Sequence, residues 1–455
     1  MSIEAFDVSA EEQSKILAKS EGHFLDFKSK DISPAKLSRS LSAFANADGG
    51  ELFVGVAELN SRFIWDGFAT PEDANAIIQV VGDIFPLTDG VVMRFLRCVD
   101  AGYVLYIDVR KSSQITKTTD GSIYIRRSAQ NRPVTTDQER ERLRLDKGIS
   151  SFETQTISVD PEFITNSAAI IGFALEIVPH QEPEKWLRMQ QLIVNNLPTV
   201  AGVVLFADEP QALLPKRCGI KIYRYSSSAD EGTRETLDGV PITIEGCAYA
   251  QIYDAVARTK RVIETVRRMT PEGLVNVTYP EETLHEIITN AVIHRDYSIT
   301  DDVHIRIYDN RVEIESPGRL PGHVTPENIL DTRFARNGSI VRIINKFPNP
   351  PNKDVGEGLN TAFRAMKQLQ LKEPIISQRE GSVVVSIRHE KLGSAEDLIM
   401  RFLDTHPSIN NKQAREICVI REDWRVRSIF GSMERAGLIE KVEGSRTSNT
   451  AYRKK

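Results

Sequence analysis

A single hydrophobic core stops growing at about 250–300 residues. A chain of 455 residues must therefore divide, and three or four domains is the natural expectation. The pattern of elements places the divisions. Residues 1–145 alternate strand-like runs ("FLDFKS", "ELFVGVAE", "YVLYIDVRKS", "SIYIRRSAQNRPV") with a helix, "PAKLSRSLSAFANADGG", stopped by its glycine pair. This is an α+β order. Residues 155–270 read as an α/β connector, with "TVAGVVLFA" and "CGIKIYRYS" as strands and "AYAQIYDAVARTKRVIETVRR" as a long helix. Residues 271–392 read as an α/β sandwich: a helix at "EETLHEIITNAVIHRDYS", then a hairpin turning at Asp309-Asn310, a helix entered through "GEG", and "SVVVSIRHE" closing the sheet. Residues 394–455 read as three helices and a hairpin, the winged helix-turn-helix order. The fold class is thus α/β multidomain.

Composition narrows the function classes. Hydrophobic and charged fractions of 40% and 27% are those of a water-soluble globular chain. No run of eighteen apolar residues is present, so no membrane partner is expected. The N-terminal segment is acidic and has no apolar centre, unlike a secretion signal. Four scattered cysteines without paired spacing point to a reducing, cytoplasmic setting. A net charge of −5 neither requires nor excludes a nucleic acid, because a local basic patch suffices.

Chemistry concentrates on the helix near residue 290. Leu284, Ile287, Ile288, Ala291 and Val292 make its apolar stripe, while Glu286 and Asn290, four apart, share another face. Glu286 is the candidate general base toward an attacking water. The amide oxygen of Asn290 suits Mg²⁺, a hard cation. Gly356 and Gly358 precede a helix whose first N–H groups favour phosphate. Together these residues point to a nucleoside triphosphate, ATP, with Mg²⁺.

A second group is acidic. Glu21 and Asp26 flank the first strand, and Glu58 ends the next. If those strands pair, three carboxylates converge and need a divalent cation, Mg²⁺ or Mn²⁺, which activates water against a phosphodiester. Lys28, two residues after Asp26, shares its strand face and would meet a substrate phosphate. Arg110, Lys111, Arg126, Arg127 and Arg132 are the candidate phosphate contacts of this domain. In the last domain Val426, Ile429, Phe430 and Met433 form the buried stripe of a helix. That leaves Arg421, Arg425, Ser428, Ser432 and Arg435 facing outward toward a DNA groove, with Arg446 on the wing.

These motifs carry resemblances in domain order. "EIITNAVIHRDY", "VEIESPGRLPG", "FARNGSIVRIIN" and "VGEGLNTAF" resemble the GHKL-type ATP-binding domain of gyrase, histidine kinases and mismatch-repair ATPases, in the variant of the RecG-related transcriptional regulators. The resemblance implies Glu286 as base and Asn290 as metal ligand. It implies a nucleotide lined by His294, Asp296, Ser316, Gly318, Gly356, Gly358 and Leu359, and a mobile lid holding Arg336 and Asn337. Ser316 stands where the wider superfamily has the Asp that reads adenine. "E-x4-D-F-K", "AFANADGGELFVGV" and "YIRRSAQNRP" resemble the Alba-type domain that is the core of the Schlafen proteins. That implies nucleic-acid binding and an acidic triad on Glu21, Asp26 and Glu58, with the family's usual second and third acids exchanged. The functional expectation is an ATP-responsive DNA-binding regulator that assembles as a homo-oligomer. The alternatives are an ATP-gated, metal-dependent nuclease acting on tRNA or DNA in anti-phage defence, and a non-catalytic oligomeric DNA-binding scaffold.

Overall fold

The computed structural model describes the chain apart from residues 1–2, 87–89, 100, 215–216, 271–272, 278, 333, 352–357, 369–370, 380, 389–394, 419, 421 and 443–449. It forms two compact units, residues 1–152 with 319–336, and residues 153–318 with 337–455.

In the first unit five strands form a mixed sheet in the order Ala5–Asp7, Val91–Cys98, Gly102–Val109, Gly50–Val54, Leu25–Lys28. The two outer pairings are parallel and the inner ones antiparallel. Helix Pro34–Asn46 is started by Ser33, whose hydroxyl accepts from the Lys36 N–H, with proline in its first turn. Its Leu37, Leu41 and Phe44 bury against Leu52, Val54, Leu105 and Ile107. The chain then turns at Gly49, at φ +82°, where a Cβ would stand 2.6 Å from the Val109 carbonyl oxygen. Only glycine fits there.

The expected strand "ELFVGVAE" breaks at Gly55. Gly50–Val54 stays in the sheet, while Val56–Leu59 pairs with Arg62–Trp65 as a separate hairpin. "SIYIRRSAQNRPV" likewise folds back, with Tyr124–Arg127 against Gln130–Pro133.

In the second unit a six-stranded sheet runs in the order Ile242–Ile244, Ile220–Arg224, Val303–Ile307, Arg311–Pro317, Ser382–Arg388, Ile375–Gln378. Ile220–Arg224 pairs in parallel with Val303–Ile307, so the sheet is continuous across the boundary expected at residues 270/271. Ser382–Arg388 does not close the sheet, because Ile375–Gln378 lies outside it. Helices Ala248–Ile263, Glu281–Ile293 and Gly358–Gln368 pack in that order, the middle one touching both others.

"TVAGVVLFA" is a helix, Val200–Phe206, rather than a strand. Thr199 caps it by accepting from the Gly202 N–H, and every residue of it is buried. An apolar run buried on all sides shows neither period, so pattern alone could not separate the two states.

The C-terminal segment has its own core. Ile399, Leu403, Val426, Phe430, Met433 and Ile439 pack together. They bring helices Ala395–Thr405, Asn411–Cys418 and Asp423–Arg435 onto a small sheet of Ile409–Asn410, Ala451–Lys454 and Ile439–Lys441. No helix among the described residues is long and apolar enough to cross a membrane.

Candidate nucleotide and nucleic-acid sites

Helix Glu281–Ile293 buries Leu284, Ile287, Ile288, Ala291 and Val292 against the rest of the unit. On that face Asn290 Nδ2 donates to Glu286 Oε1 at 2.7 Å. Burial pushes the Glu286 carboxyl above the usual carboxylate range, opposed by that hydrogen bond. A proton-accepting carboxylate poised upward is what a general base requires. With the Asn290 amide nitrogen committed to Glu286, its Oδ1 is the atom a hard cation would take.

Two further elements meet this helix. Thr283 donates to the Ala362 carbonyl at 3.3 Å, seating the helix that begins at Gly358 alongside it. The "ESPG" turn docks on its C-terminal end, where the Ser316 hydroxyl donates to the Ala291 carbonyl at 2.8 Å and the Asp296 N–H to the Pro317 carbonyl at 2.8 Å. The Ser316 hydroxyl proton is thus spent on the helix. The carboxylate at this turn belongs to Asp296, which is buried. A Cβ on Gly318, at φ +108°, would lie 2.6 Å from the Asp296 Cβ. Asp296 Oδ1 accepts from the backbone and hydroxyl of Ser298. His294 ends the helix, its N–H donating to the Asn290 carbonyl. Leu359 is half-buried. Gly356 lies outside the described residues.

Arg336 and Asn337, expected in a mobile lid, are both buried. Asn337 is buried in the second unit, and its Nδ2 donates to the carbonyls of Ile293 and Arg295 at 3.0 and 2.8 Å. Arg336 is buried in the first unit, donating to the carbonyls of Arg319 and Leu145. The helix Gly338–Ile344 that follows has its N-terminus taken by Glu153, which accepts from the N–H groups of Ser339 and Ile340 at 2.8 and 2.9 Å. Sequence reading missed Glu153, because a capping acid 186 residues upstream leaves no local signal.

In the first unit only two of the three predicted acids come together. Glu21 Oε1 accepts from the Phe27 N–H, and Glu21 is raised by burial and by the neighbouring Asp26 carboxylate. Asp26, 2% exposed, is held by Lys28 Nζ at 2.7 Å and by the Arg126 guanidinium at 3.3 Å. Glu58 is exposed and lies opposite Phe63 on the separate hairpin, because Gly55 takes its strand out of the sheet. Among the described residues no group of three or more His, Cys, Asp or Glu side chains is placed to hold a metal ion. The three-carboxylate cluster is not assembled.

The basic candidates also separate. Arg110, Arg127 and Arg132 are exposed. Arg126 is 1% exposed and structural: it donates to the Gly22 carbonyl and to Asn131 Oδ1 and lies over the Phe44 ring. The Lys111 side chain is only 6% exposed, donating to the carbonyls of Leu320 and Val324 and pairing with Asp48 at 3.3 Å. Neither is presented to a phosphate. Lys28 is half-buried against Asp26.

In the last domain Arg425, Ser428, Ser432 and Arg435 are exposed as expected, and Arg421 and Arg446 lie outside the described residues. The same exposed face carries Trp424, which the sequence reading passed over. The available signal was its place two residues before Val426, off the apolar stripe.

Two family models match parts of the chain. Residues 21–135 match "Schlafen, AlbA_2". Residues 300–387 match "Putative ATP-dependent DNA helicase recG C-terminal". The second match takes in Ser316, Gly318, Arg336, Asn337, Gly356 and Gly358, and begins after the Glu286 helix. No curated protein matches. Among solved structures the DIP2311 protein from Corynebacterium diphtheriae is similar at 18% identity and a TM-score of 0.42, over 98% of this chain and 93% of that one.

Proposed function

We propose that this chain, which joins a Schlafen AlbA_2 domain to a RecG-like C-terminal domain, is a nucleotide-responsive nucleic-acid-binding regulator. The observation that carries the reading is the Glu286–Asn290 pair: 2.7 Å apart, on the polar face of a buried helix, with the Ser316–Gly318 turn and the glycine-started helix at Gly358 seated on the same helix. ATP is the proposed ligand, and its magnesium would supply charge neutralisation of the phosphates. Asn290 would hold that ion through Oδ1. Glu286 would accept a proton from water. Asp296, in place of an acid at position 316, would give the turn its negative charge toward a base amino group. A domain of regulatory type is further supported by the C-terminal three-helix and hairpin segment, read as a winged helix-turn-helix. The metal-dependent nuclease is the weaker reading, because Asp26 is neutralised by Arg126 and Lys28.

Calorimetry of the full chain with MgATP tests the proposal. Saturable uptake is expected, lost or weakened about tenfold or more in Asn290→Ala through the loss of one charge-assisted contact. Glu286→Gln should retain uptake and lose any hydrolysis. Absence of uptake of every nucleoside triphosphate by the wild-type chain overturns it.

A further inference from the structure

The chain has three tryptophans, and two of them, Trp65 and Trp186, are 9% and 4% exposed. Trp424 is 70% exposed. Tryptophan is highly buried on average, so one standing in solvent in the first turn of helix Asp423–Arg435 needs an explanation. The hydrophobic core beside it does not need it: Val426, Phe430 and Met433 fill that role from the opposite face. Its own face is polar and carries both charges, since Glu422 at the cap and Glu434 in the helix are also exposed, Glu434 paired with Lys441 at 3.7 Å. Arg425, Ser428, Ser432 and Arg435 are exposed around it, and Arg427, also exposed, pairs with Asp423 one turn back. Residues 395–455 carry twelve Lys and Arg against nine Asp and Glu, in a chain whose net charge is −5. This segment is therefore net positive within a chain that is net negative.

We infer that Trp424 is the contact residue through which this helix recognises duplex DNA, its ring against base edges or sugar in the major groove and Arg425 and Arg427 on the flanking phosphates. The inference rests on the nucleic-acid half of the function proposed above. Three features favour a duplex. The helix is thirteen residues long, an element that a major groove about 12 Å wide admits. Single strands instead need a groove that tracks the backbone beneath stacked bases. The N-terminal end of the helix carries a positive partial charge that favours phosphate, and Trp424 is in that first turn. The alternation of an apolar ring with guanidinium groups matches the alternation of base edge and phosphate along a groove wall.

The arrangement supplies its own probe. Trp65 and Trp186 are shielded, so acrylamide quenching of the full-length protein reports chiefly on Trp424. Titration with a mixed-sequence duplex should protect the emission from acrylamide. In a fluorescein-duplex anisotropy assay, Trp424→Ala should weaken binding by about fivefold or more, the loss of one good base contact, and Trp424→Phe by less. Both variants should keep the wild-type circular dichroism and melting midpoint, since the side chain is 70% exposed and is not part of the segment's hydrophobic core.

If the duplex binds the full chain, yet Trp424 stays quenchable and Trp424→Ala binds as wild type, the inference is overturned and the nucleic-acid reading stands. If no duplex, single strand or RNA binds, both fall. Protection by a single strand or RNA but not by duplex overturns the choice of partner. Protection that rises with protein concentration alone assigns the face to a second copy of the chain and overturns it as well.

Discussion

At the scale of residues, several side chains that look like chemistry are structure. Arg126 resembles a phosphate contact in "YIRRSAQNR", yet it is buried against Asp26, Asn131 and the Gly22 carbonyl. Lys147 shows the same principle with a measurable consequence. Its ammonium donates to the carbonyls of Ala45 and Ser112 at 2.7 and 2.6 Å. Burial, followed by the nearby charge of Lys111, pushes it down to about 7 against opposing pulls from Asp48 and Asp146, with Arg319 adding to the depression. Burial lowers Lys111 in the same direction. An unfolded lysine holds its proton to about 10.4. Between about pH 7 and that value the unfolded chain therefore binds more protons than the native one, and stability rises with pH. Urea midpoints of the full chain should increase from pH 7 to pH 9, and Lys147→Met should flatten that increase, leaving the part due to Lys111. A slope unchanged by the substitution would show that Lys147 is fully charged in the native state.

At the scale of elements, glycines and caps decide what hydrophobic pattern leaves open. Gly55 cuts "ELFVGVAE" into a sheet strand and a hairpin strand, and Glu58 falls on the hairpin while Asp26 stays in the sheet. The run "VAGVVLF" has no period, and Thr199 settles it as a helix. The Thr199 hydroxyl accepts from the Gly202 N–H and donates to the Leu192 carbonyl at 3.2 Å, both buried. Thr199→Ala should cost ~1–2 kcal/mol, the upper part of the range for losing a cap, read as a lower denaturant midpoint with an unchanged m-value. Thr199→Ser, which keeps the hydroxyl, should recover most of it. The helix Glu281–Ile293 needed no such rescue, since its apolar stripe has a clear 3.6-residue period and the polar pair on its other face is where the spacing put it.

At the scale of the whole molecule, the segment 319–336 leaves the second unit after Gly318, belongs to the first, and returns at Asn337. Its two ends adjoin groups of the proposed nucleotide site, so chain connectivity alone ties that site to the Schlafen AlbA_2 unit. If nucleotide and nucleic acid both bind, linkage requires that each change the other's affinity by one and the same factor. Duplex affinity measured with and without saturating MgATP, and MgATP affinity with and without saturating duplex, should give equal ratios, on the order of fivefold or more for a coupling of ~1 kcal/mol or above. A ratio of one in both directions would leave two independent binding activities on one chain.

The sequence by itself determined the elements with strong periods, the partition into an AlbA_2-like start and a RecG-like C-terminal domain, and the Glu286–Asn290 pair, because an i,i+4 relation on a helix is local geometry. Only the tertiary structure decided that Ile220–Arg224 joins the sheet of Val303–Ile307, that Asp296 stands beside the Ser316 turn, that Glu58 lies on a separate hairpin, and that the side chains of Lys111 and Arg126 are covered while Trp424 is exposed. Each of these depends on which distant segments meet. Burial and partnership, unlike helical spacing, are set by contacts between residues tens to hundreds of positions apart.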